Sequence, residues 1–160
     1  MELIELFSMQ KELDAFIENS RDIHRDVFIE KGLALTIELA ELANETRCFK
    51  YWSSKGPSER EVLLEEFVDS IHFLLSLGNE KGYKIDRWPN VQQEVDLTKW
   101  FLKTQEVILS FIHNPEVDKY SQVWQYYSVL AYNLGFTFED ILAGYISKNE
   151  KNYERQRTGY

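Results

Sequence analysis

Apolar residues recur along this chain at steps of three and four positions, the spacing of amphipathic helices. No clear run of alternating apolar and polar residues, which would indicate a strand, interrupts the pattern. The helical spacing occurs in six segments, residues 3–17, 35–49, 63–77, 101–111, 123–134 and 138–153. Glycine and proline, which interrupt helices, number only seven and three. The pattern therefore predicts an all-α fold, a bundle of about six helices.

The segment from Leu63 to Leu77 differs from the others because it is apolar on most sides. A helix of this kind has little surface to offer to water, so we expect it at the centre of the bundle. Ser58 and Glu61 lie just before the segment and have the three-residue spacing of a capping box. In this motif the side chain of each residue accepts a hydrogen bond from the backbone N–H of the other. The sequence thus predicts a central helix that begins at Ser58.

Glycine, proline and small polar residues mark the breaks between helices. Residues 53–58 and 78–89 are predicted loops, and Asn114-Pro115 and Gly135 are expected to end later helices. No repeat, low-complexity tract or linker divides the chain. We therefore predict that residues 1–160 form a single domain.

The charge balance narrows the choice of partners. A net charge of −9 argues against a nucleic-acid polymer, whose phosphates would be repelled. A small phosphorylated ligand is compatible with this charge if metal cations bridge the acidic residues to the phosphates. No stretch approaches the ~20 apolar residues of a membrane span. With a single cysteine, Cys48, and no signal-peptide pattern at its start, the chain is expected to be a cytoplasmic protein.

Two acidic pairs are the most informative polar residues. Glu38 and Glu41 are three positions apart, as are Glu66 and Asp69, so each pair shares one helical face. Such pairs repel, and burial of an ionised carboxylate is costly without a partner. If the two helices form a hairpin, four carboxylates converge and suit Mg²⁺, which prefers oxygen ligands. The alternative is two solvated acidic faces, and His72 is predicted to be a core histidine rather than a ligand.

Near the end of the chain, Lys148, Asn152 and Arg155 step by four and three positions along one helical face. Ammonium, amide and guanidinium donors arranged in this way suit phosphate oxygens. The alternative is that the basic residues compensate the negative end of the helix dipole.

Four further residues are candidates for the nucleoside end of a ligand. The amide of Gln10 offers a donor and an acceptor to a pyrimidine edge. Trp52 and Phe73 are aromatic rings that could stack on a base, and Lys55 follows Trp52 in the predicted loop. Each of these residues is also compatible with an ordinary place in the core or on the surface.

The text around these residues resembles the dimeric dUTPases, within the all-α nucleotide pyrophosphatase (MazG-like) superfamily. The resemblance is carried by ELAELANETRCFKYWS from Glu38, LLEEFVDSIHFLLSLG from Leu63, and KNEKNYERQRTGY from Lys148. MQKELD from Met9 is similar to the N-terminal motif on the uracil side. The region from residue 83 to 137 carries little that can be matched.

The resemblance implies a dUTP diphosphatase that forms a homodimer and hydrolyses dUTP, and dUDP as well, with attack at the β-phosphorus. Mg²⁺ would be held by Glu38, Glu41, Glu66 and Asp69, with Glu41 also activating the attacking water. Substrate-binding residues would be Gln10, Trp52, Lys55, Phe73, Lys148, Asn152 and Arg155. The alternatives are the same chemistry on another deoxynucleotide such as dCTP, and a helical regulatory or protein-binding module with a relic acidic site.

Overall fold

Six α-helices account for most of the described residues, 1–159, in this computed structural model, and no strand occurs among them. The helices are α1 (Leu3–Ser20), α2 (Phe28–Thr46), α3 (Arg60–Lys81), α4 (Leu97–His113), α5 (Val117–Leu134) and α6 (Phe138–Arg157). The predicted all-α fold and the predicted number of helices are confirmed. No helix among the described residues is long and apolar enough to cross a membrane.

Helix α3 lies at the centre of the bundle, as its apolar surface predicts. It packs against α1, α2 and α6, while α4 and α5 form a hairpin whose first helix packs against α2 and whose second helix contacts α3 through Tyr120 and Tyr127. Phe67, Ile71 and Leu74 of α3 are completely buried. Burial of one such side chain contributes roughly 1.5–3 kcal/mol of transfer free energy, so the mainly apolar surface of α3 holds the surrounding helices together.

The predicted loop at residues 78–89 begins later than expected, because α3 continues to Lys81. Gly78 lies inside the helix, where a Cβ atom would be 2.1 Å from the hydroxyl of Tyr120. That hydroxyl donates a hydrogen bond to the carbonyl oxygen of Leu74 (2.6 Å). Gly78 therefore allows α5 to approach α3 closely, and the helix ends instead at Gly82, whose φ of 73° suits glycine.

The predicted capping box at the start of α3 does not form. Glu59 is the N-cap residue and makes no side-chain capping bond. Ser58 instead donates its hydroxyl to the carboxylate of Glu45. Its backbone N–H also donates to the carbonyl oxygen of Glu45 (3.0 Å). Ser58 thus fastens the 47–59 loop to the end of α2, and this fixes α2 and α3 side by side.

Candidate active site

The two acidic pairs lie on the facing surfaces of α2 and α3. Leu35, Leu39 and Leu42 form the buried stripe of α2, and Glu38 lies at the edge of that stripe, so its side chain is half-buried rather than solvated. One carboxylate oxygen from each of Glu38, Glu66 and Asp69 lies within 4.8 Å of the others. The predicted convergence of the acids is therefore present for three of the four residues.

Two of these three carboxylates, those of Glu38 and Glu66, are not fully paired. Oε2 of Glu38 and Oε2 of Glu66 are buried without a hydrogen-bond partner among the described residues. Burial, together with repulsion from Asp69 and Glu41, raises the pKa of Glu38 to about 8. Burial and the same two acids raise the pKa of Glu66 to about 7. Unpaired buried oxygens of like charge fit a hard divalent cation, which takes oxygen ligands and offsets their repulsion.

Glu41 is exposed and lies beside this group rather than inside it. Its side chain is within hydrogen-bonding reach of Glu38 and Glu66, and it contributes to the raised pKa of both. Glu45, one turn further, accepts the hydroxyl of Ser58. Of the acids on α2, Glu41 thus combines closeness to the carboxylate group with access to solvent.

Helix α6 brings a cation to the acidic group. The ammonium group of Lys148 lies 2.9 Å from Oε1 of Glu65 and 3.0 Å from Oδ1 of Asp69. Burial still raises the pKa of Asp69, although the bond to Lys148 opposes the shift. For Lys148, burial alone would lower the pKa, but its bonds to Glu65 and Asp69 raise it overall. Lys148 therefore stays protonated and neutralises one side of the carboxylate group.

A cavity of about 500 Å³ opens between α1, α3 and α6 and extends to the acidic group. Apolar side chains of α1 and of the following loop, including Leu13, Ile17 and Ile23, form one wall. Seven of the predicted site residues line this cavity, namely Gln10, Glu38, Asp69, Phe73, Lys148, Asn152 and Arg155. The cavity therefore has acidic and cationic groups at one end, and the other end, here called the apolar end, has an apolar wall. Charged side chains such as Arg25 and Lys31 line the cavity as well.

Trp52 and Lys55 lie outside the lining of the cavity. Both belong to the loop that follows α2, and the ring of Trp52 packs against Phe49 and Tyr51, with centroid distances of 6.1 and 5.2 Å. The backbone oxygen of Lys55 accepts a bond from Nε of Arg47 (3.1 Å). Trp52 is 64% exposed, so it does not cap the core.

Three residues that the sequence did not single out as site residues also border the apolar end. Asp14 and His72 line the cavity, and Tyr145 lies behind them, stacked on the ring of His72. His72 is buried in agreement with its prediction as a core histidine, but its Nε2 has no partner among the described residues. Asp14 could have been found from the sequence, because it lies four residues after Gln10 and hence on the same helical face. No neighbouring residue in the sequence indicates a role for Tyr145. In the C-terminal motif, Tyr160 lies outside the described residues.

A family model described as dUTPase matches residues 2–160, which is nearly the whole chain. The match includes both acidic pairs, the N-terminal motif and the cationic face of α6. A search of curated proteins found no match.

Proposed function

Because the chain belongs to the all-α dUTPase family, it is a dUTP diphosphatase, and we propose that it cleaves dUTP to dUMP and pyrophosphate in the cavity between α1, α3 and α6 with the help of Mg²⁺. The observation that carries this proposal is the pair of buried, unpartnered carboxylate oxygens on Glu38 and Glu66 at the end of the cavity. Such oxygens repel one another, and a divalent cation that binds oxygen ligands offsets this repulsion.

Glu38, Glu66 and Asp69 would hold the metal, with Glu41 beside them. When bound, a divalent cation offsets the charge of the phosphates and lowers the pKa of water. Glu41 is exposed next to these ligands, so its carboxylate can orient the attacking water and accept the proton that the water loses. The other acids are less suited to this task because they are buried or bonded to Lys148 or Ser58.

The phosphate chain would lie against α6. Lys148, Asn152 and Arg155 line the same cavity as Glu38 and Asp69, and all three side chains donate hydrogen bonds. Their positions on one helix place these donors on the same side of the cavity before the reaction begins. The phosphates would thus contact donors on one side and the acidic metal-binding group on the other.

We propose that the base occupies the apolar end, between Gln10 and Phe73, and that Trp52 and Lys55 contact the substrate once their loop moves toward the cavity. Attack at the β-phosphorus, which leaves dUMP from dUTP, would also cleave dUDP.

Since Cys48 has no second cysteine to pair with, the enzyme is suited to a reducing cytoplasm.

We further propose that the enzyme is a homodimer that buries an apolar face of α2 and α4. Ile29, Leu33 and Ile37 are four residues apart on α2 and are 63%, 63% and 49% exposed. Leu102 and Leu109 are exposed on α4, which is joined to α2 by a bond from Gln105 to the carbonyl oxygen of Thr36 (3.1 Å). Several large apolar side chains exposed on two neighbouring helices are typical of a protein interface.

A pyrophosphate-release screen over the deoxynucleoside triphosphates and diphosphates, with Mg²⁺ or with chelator, tests the proposal. We expect turnover of dUTP and dUDP only when the metal is present. Preference for dCTP would overturn the assignment of the base. No turnover, together with no rise in melting temperature on addition of dUTP and Mg²⁺, would indicate a binding module with a relic site.

A further inference from the structure

The ammonium group of Lys148 is held between two carboxylates of α3 that differ in their surroundings. It donates a hydrogen bond to Oε1 of Glu65 (2.9 Å) and lies 3.0 Å from Oδ1 of Asp69. The two acids are four residues apart, so their side chains project from the same face of the helix. The proposed reaction uses Asp69 as a metal ligand, whereas it gives Glu65 no task.

Glu65 contacts Lys148 from the side that faces away from the proposed substrate. Its carboxylate lines an outer cleft of about 240 Å³ between α3 and α6, which Glu61, Lys148 and Lys151 line as well. Lys148 lines both this outer cleft and the larger cavity between α1, α3 and α6. Its side chain is 10% exposed, and that of Glu65 is 50% exposed. Lys148 therefore connects Glu65 to the site of the proposed reaction.

The ammonium group of Lys148 has one hydrogen left for a ligand. An ammonium carries three N–H donors, and two of them face its carboxylate partners among the described residues, Glu65 and Asp69. The charge of a lysine lies at the end of a flexible four-carbon stem. The direction of the third donor is therefore set by the groups that hold the other two.

The two partners of Lys148 are not equivalent once a metal is bound. One carboxylate oxygen of Asp69 belongs to the group that Glu38 and Glu66 complete. A cation bound there would compete with Lys148 for Asp69, because both are attracted to the same carboxylate. Glu65 is no member of that group, so its bond to Lys148 is compatible with a bound metal. Glu65 is thus the partner that Lys148 can keep throughout the reaction.

We infer that Glu65 is a positioning residue, which directs the ammonium group of Lys148 toward the phosphate chain while the metal occupies Asp69. The inference rests on the proposed function for the identity of the ligand and the metal. An ordinary half-exposed ion pair is the competing explanation. Removal of such a pair changes stability slightly and leaves ligand binding unchanged.

Three single variants separate these explanations. Glu65→Met keeps the length of the side chain but removes both the charge and the acceptor. Glu65→Gln removes the charge and keeps an oxygen that can accept from Lys148. Glu61→Met is the matched control, because Glu61 lies one helical turn before Glu65, is exposed and lines the same outer cleft.

Binding is measured in Mg²⁺ with two ligands. Calorimetry gives the affinity for α,β-imido-dUTP, which keeps the phosphate chain and resists cleavage between the α and β phosphorus atoms. A nuclear magnetic resonance titration gives the affinity for deoxyuridine, which has no phosphate. Glu65→Met is also combined with Lys148→Met, so that the coupling between the two side chains can be calculated from the four proteins.

We expect Glu65→Met to weaken binding of α,β-imido-dUTP by about tenfold, as for the loss of one charged hydrogen bond, and to leave deoxyuridine unaffected. Glu65→Gln should retain part of the lost affinity. Glu61→Met should stay within about twofold of the wild type, as for an exposed charge. In the Lys148→Met background, Glu65→Met should have no further effect, because Glu65 acts through Lys148.

Three results would overturn the inference. Independent effects of Glu65→Met and Lys148→Met would show that Glu65 does not act through Lys148. A loss no larger than that of Glu61→Met would show the influence of charge alone. Equal weakening of deoxyuridine would show that the whole cavity is distorted. If Lys148→Met does not fold, the comparison of Glu65→Met with Glu61→Met on the two ligands decides.

The same measurements separate this inference from the proposed function. A wild-type protein that binds α,β-imido-dUTP in the expected manner but does not hydrolyse dUTP would contradict the proposed reaction and leave the role of Glu65 supported. A protein that hydrolyses dUTP although Glu65→Met behaves as Glu61→Met would do the reverse. A wild type that binds no nucleotide in Mg²⁺ would overturn both.

Discussion

The ammonium group of Lys148 on α6 lies 3.0 Å from the carboxylate of Asp69 on α3, although the two residues are far apart in the sequence. The side chains are only 10% and 19% exposed, so solvent screens this pair less than a surface ion pair. Lys148 thus offsets part of the negative charge of the acidic group.

Replacement of Lys148 by Met should destabilise the metal-free protein by about 1–3 kcal/mol, because Asp69 loses its charge partner while still buried. Mg²⁺ should restore part of this loss. Lys151→Met is the matched control. Lys151 is on the same helix as Lys148 and its ammonium group lies 3.7 Å from the carboxylate of Glu65, but its side chain is 55% exposed. Urea denaturation in chelator and in Mg²⁺ measures both variants, and equal losses in the two would contradict a special role for Lys148.

The stability of the metal-free protein should fall as the pH rises from 6.5 to 8. In this range Glu38 and Glu66, with pKa values near 8 and 7, are protonated to a greater extent in the folded protein than in the unfolded chain. Below pH 6.5, His72 has the opposite effect, because its folded pKa is lowered to about 3. The dependence of the unfolding free energy on pH is measured by urea denaturation in chelator. Glu38→Gln should flatten it and raise stability at pH 8 by about 1–2 kcal/mol, discounted for solvent access. If Glu38→Gln has the same dependence of stability on pH as the wild type, repulsion between Glu38 and the other acids does not contribute to it.

Glu41→Gln should remove nearly all turnover of dUTP and leave the fold intact, because the amide cannot accept the proton of the attacking water. A loss of roughly 10²–10⁴-fold is usual for a general base. Glu61→Gln, an exposed change on α3, is the control and should behave as the wild type. Steady-state kinetics with Mg²⁺ decides the matter, and normal turnover by Glu41→Gln would refute the role of Glu41.

Arg155→Ala should reduce kcat/KM for dUTP by more than about tenfold, as for the loss of one charged hydrogen bond to a phosphate, with little change in melting temperature. Arg157→Ala supplies the comparison, because Arg157 is two residues further on, forms an exposed pair with Glu154 (3.5 Å) and lies outside the cavity. If both variants show the same kinetics, α6 does not bind the phosphates through Arg155.

Leu33→Glu should prevent dimer formation, because it would place a charge at the centre of the exposed apolar face of α2. Val117→Glu introduces the same charge at a side chain that is also exposed (51%) but lies at the start of α5, apart from that face. Light scattering after size-exclusion chromatography measures the mass of each variant. A monomeric wild type, or a dimer that survives Leu33→Glu, would rule out this interface.

The sequence predicted best those features that depend on residues a few positions apart in the same helix. Three- and four-residue spacing gave the six helices, and it placed Glu66 and Asp69 on one face because a helix fixes that geometry. The hairpin of α2 and α3 then brought Glu38 to them. The donor Ser58 was misassigned because Glu45, its true partner, belongs to the preceding helix and competes with the local capping bond.

Gln10 makes hydrogen bonds that were beyond prediction for the same reason. Its bonds to His72 and Tyr145 span 62 and 135 positions, so no periodicity relates the three residues. A buried histidine in an apolar helix is compatible with full pairing or with a free nitrogen. Only the packing of α1, α3 and α6 around the cavity distinguishes the two.

The docking of α6 against α3 also sets an order of events during synthesis. The carboxylates of α2 and α3 emerge from the ribosome before Lys148, and domains fold while synthesis proceeds from the N-terminus. The nascent hairpin therefore carries its negative charge without the side chain that later neutralises it. The balance of charge at the site therefore depends on the last helix of the chain, which is the last of the six to be made.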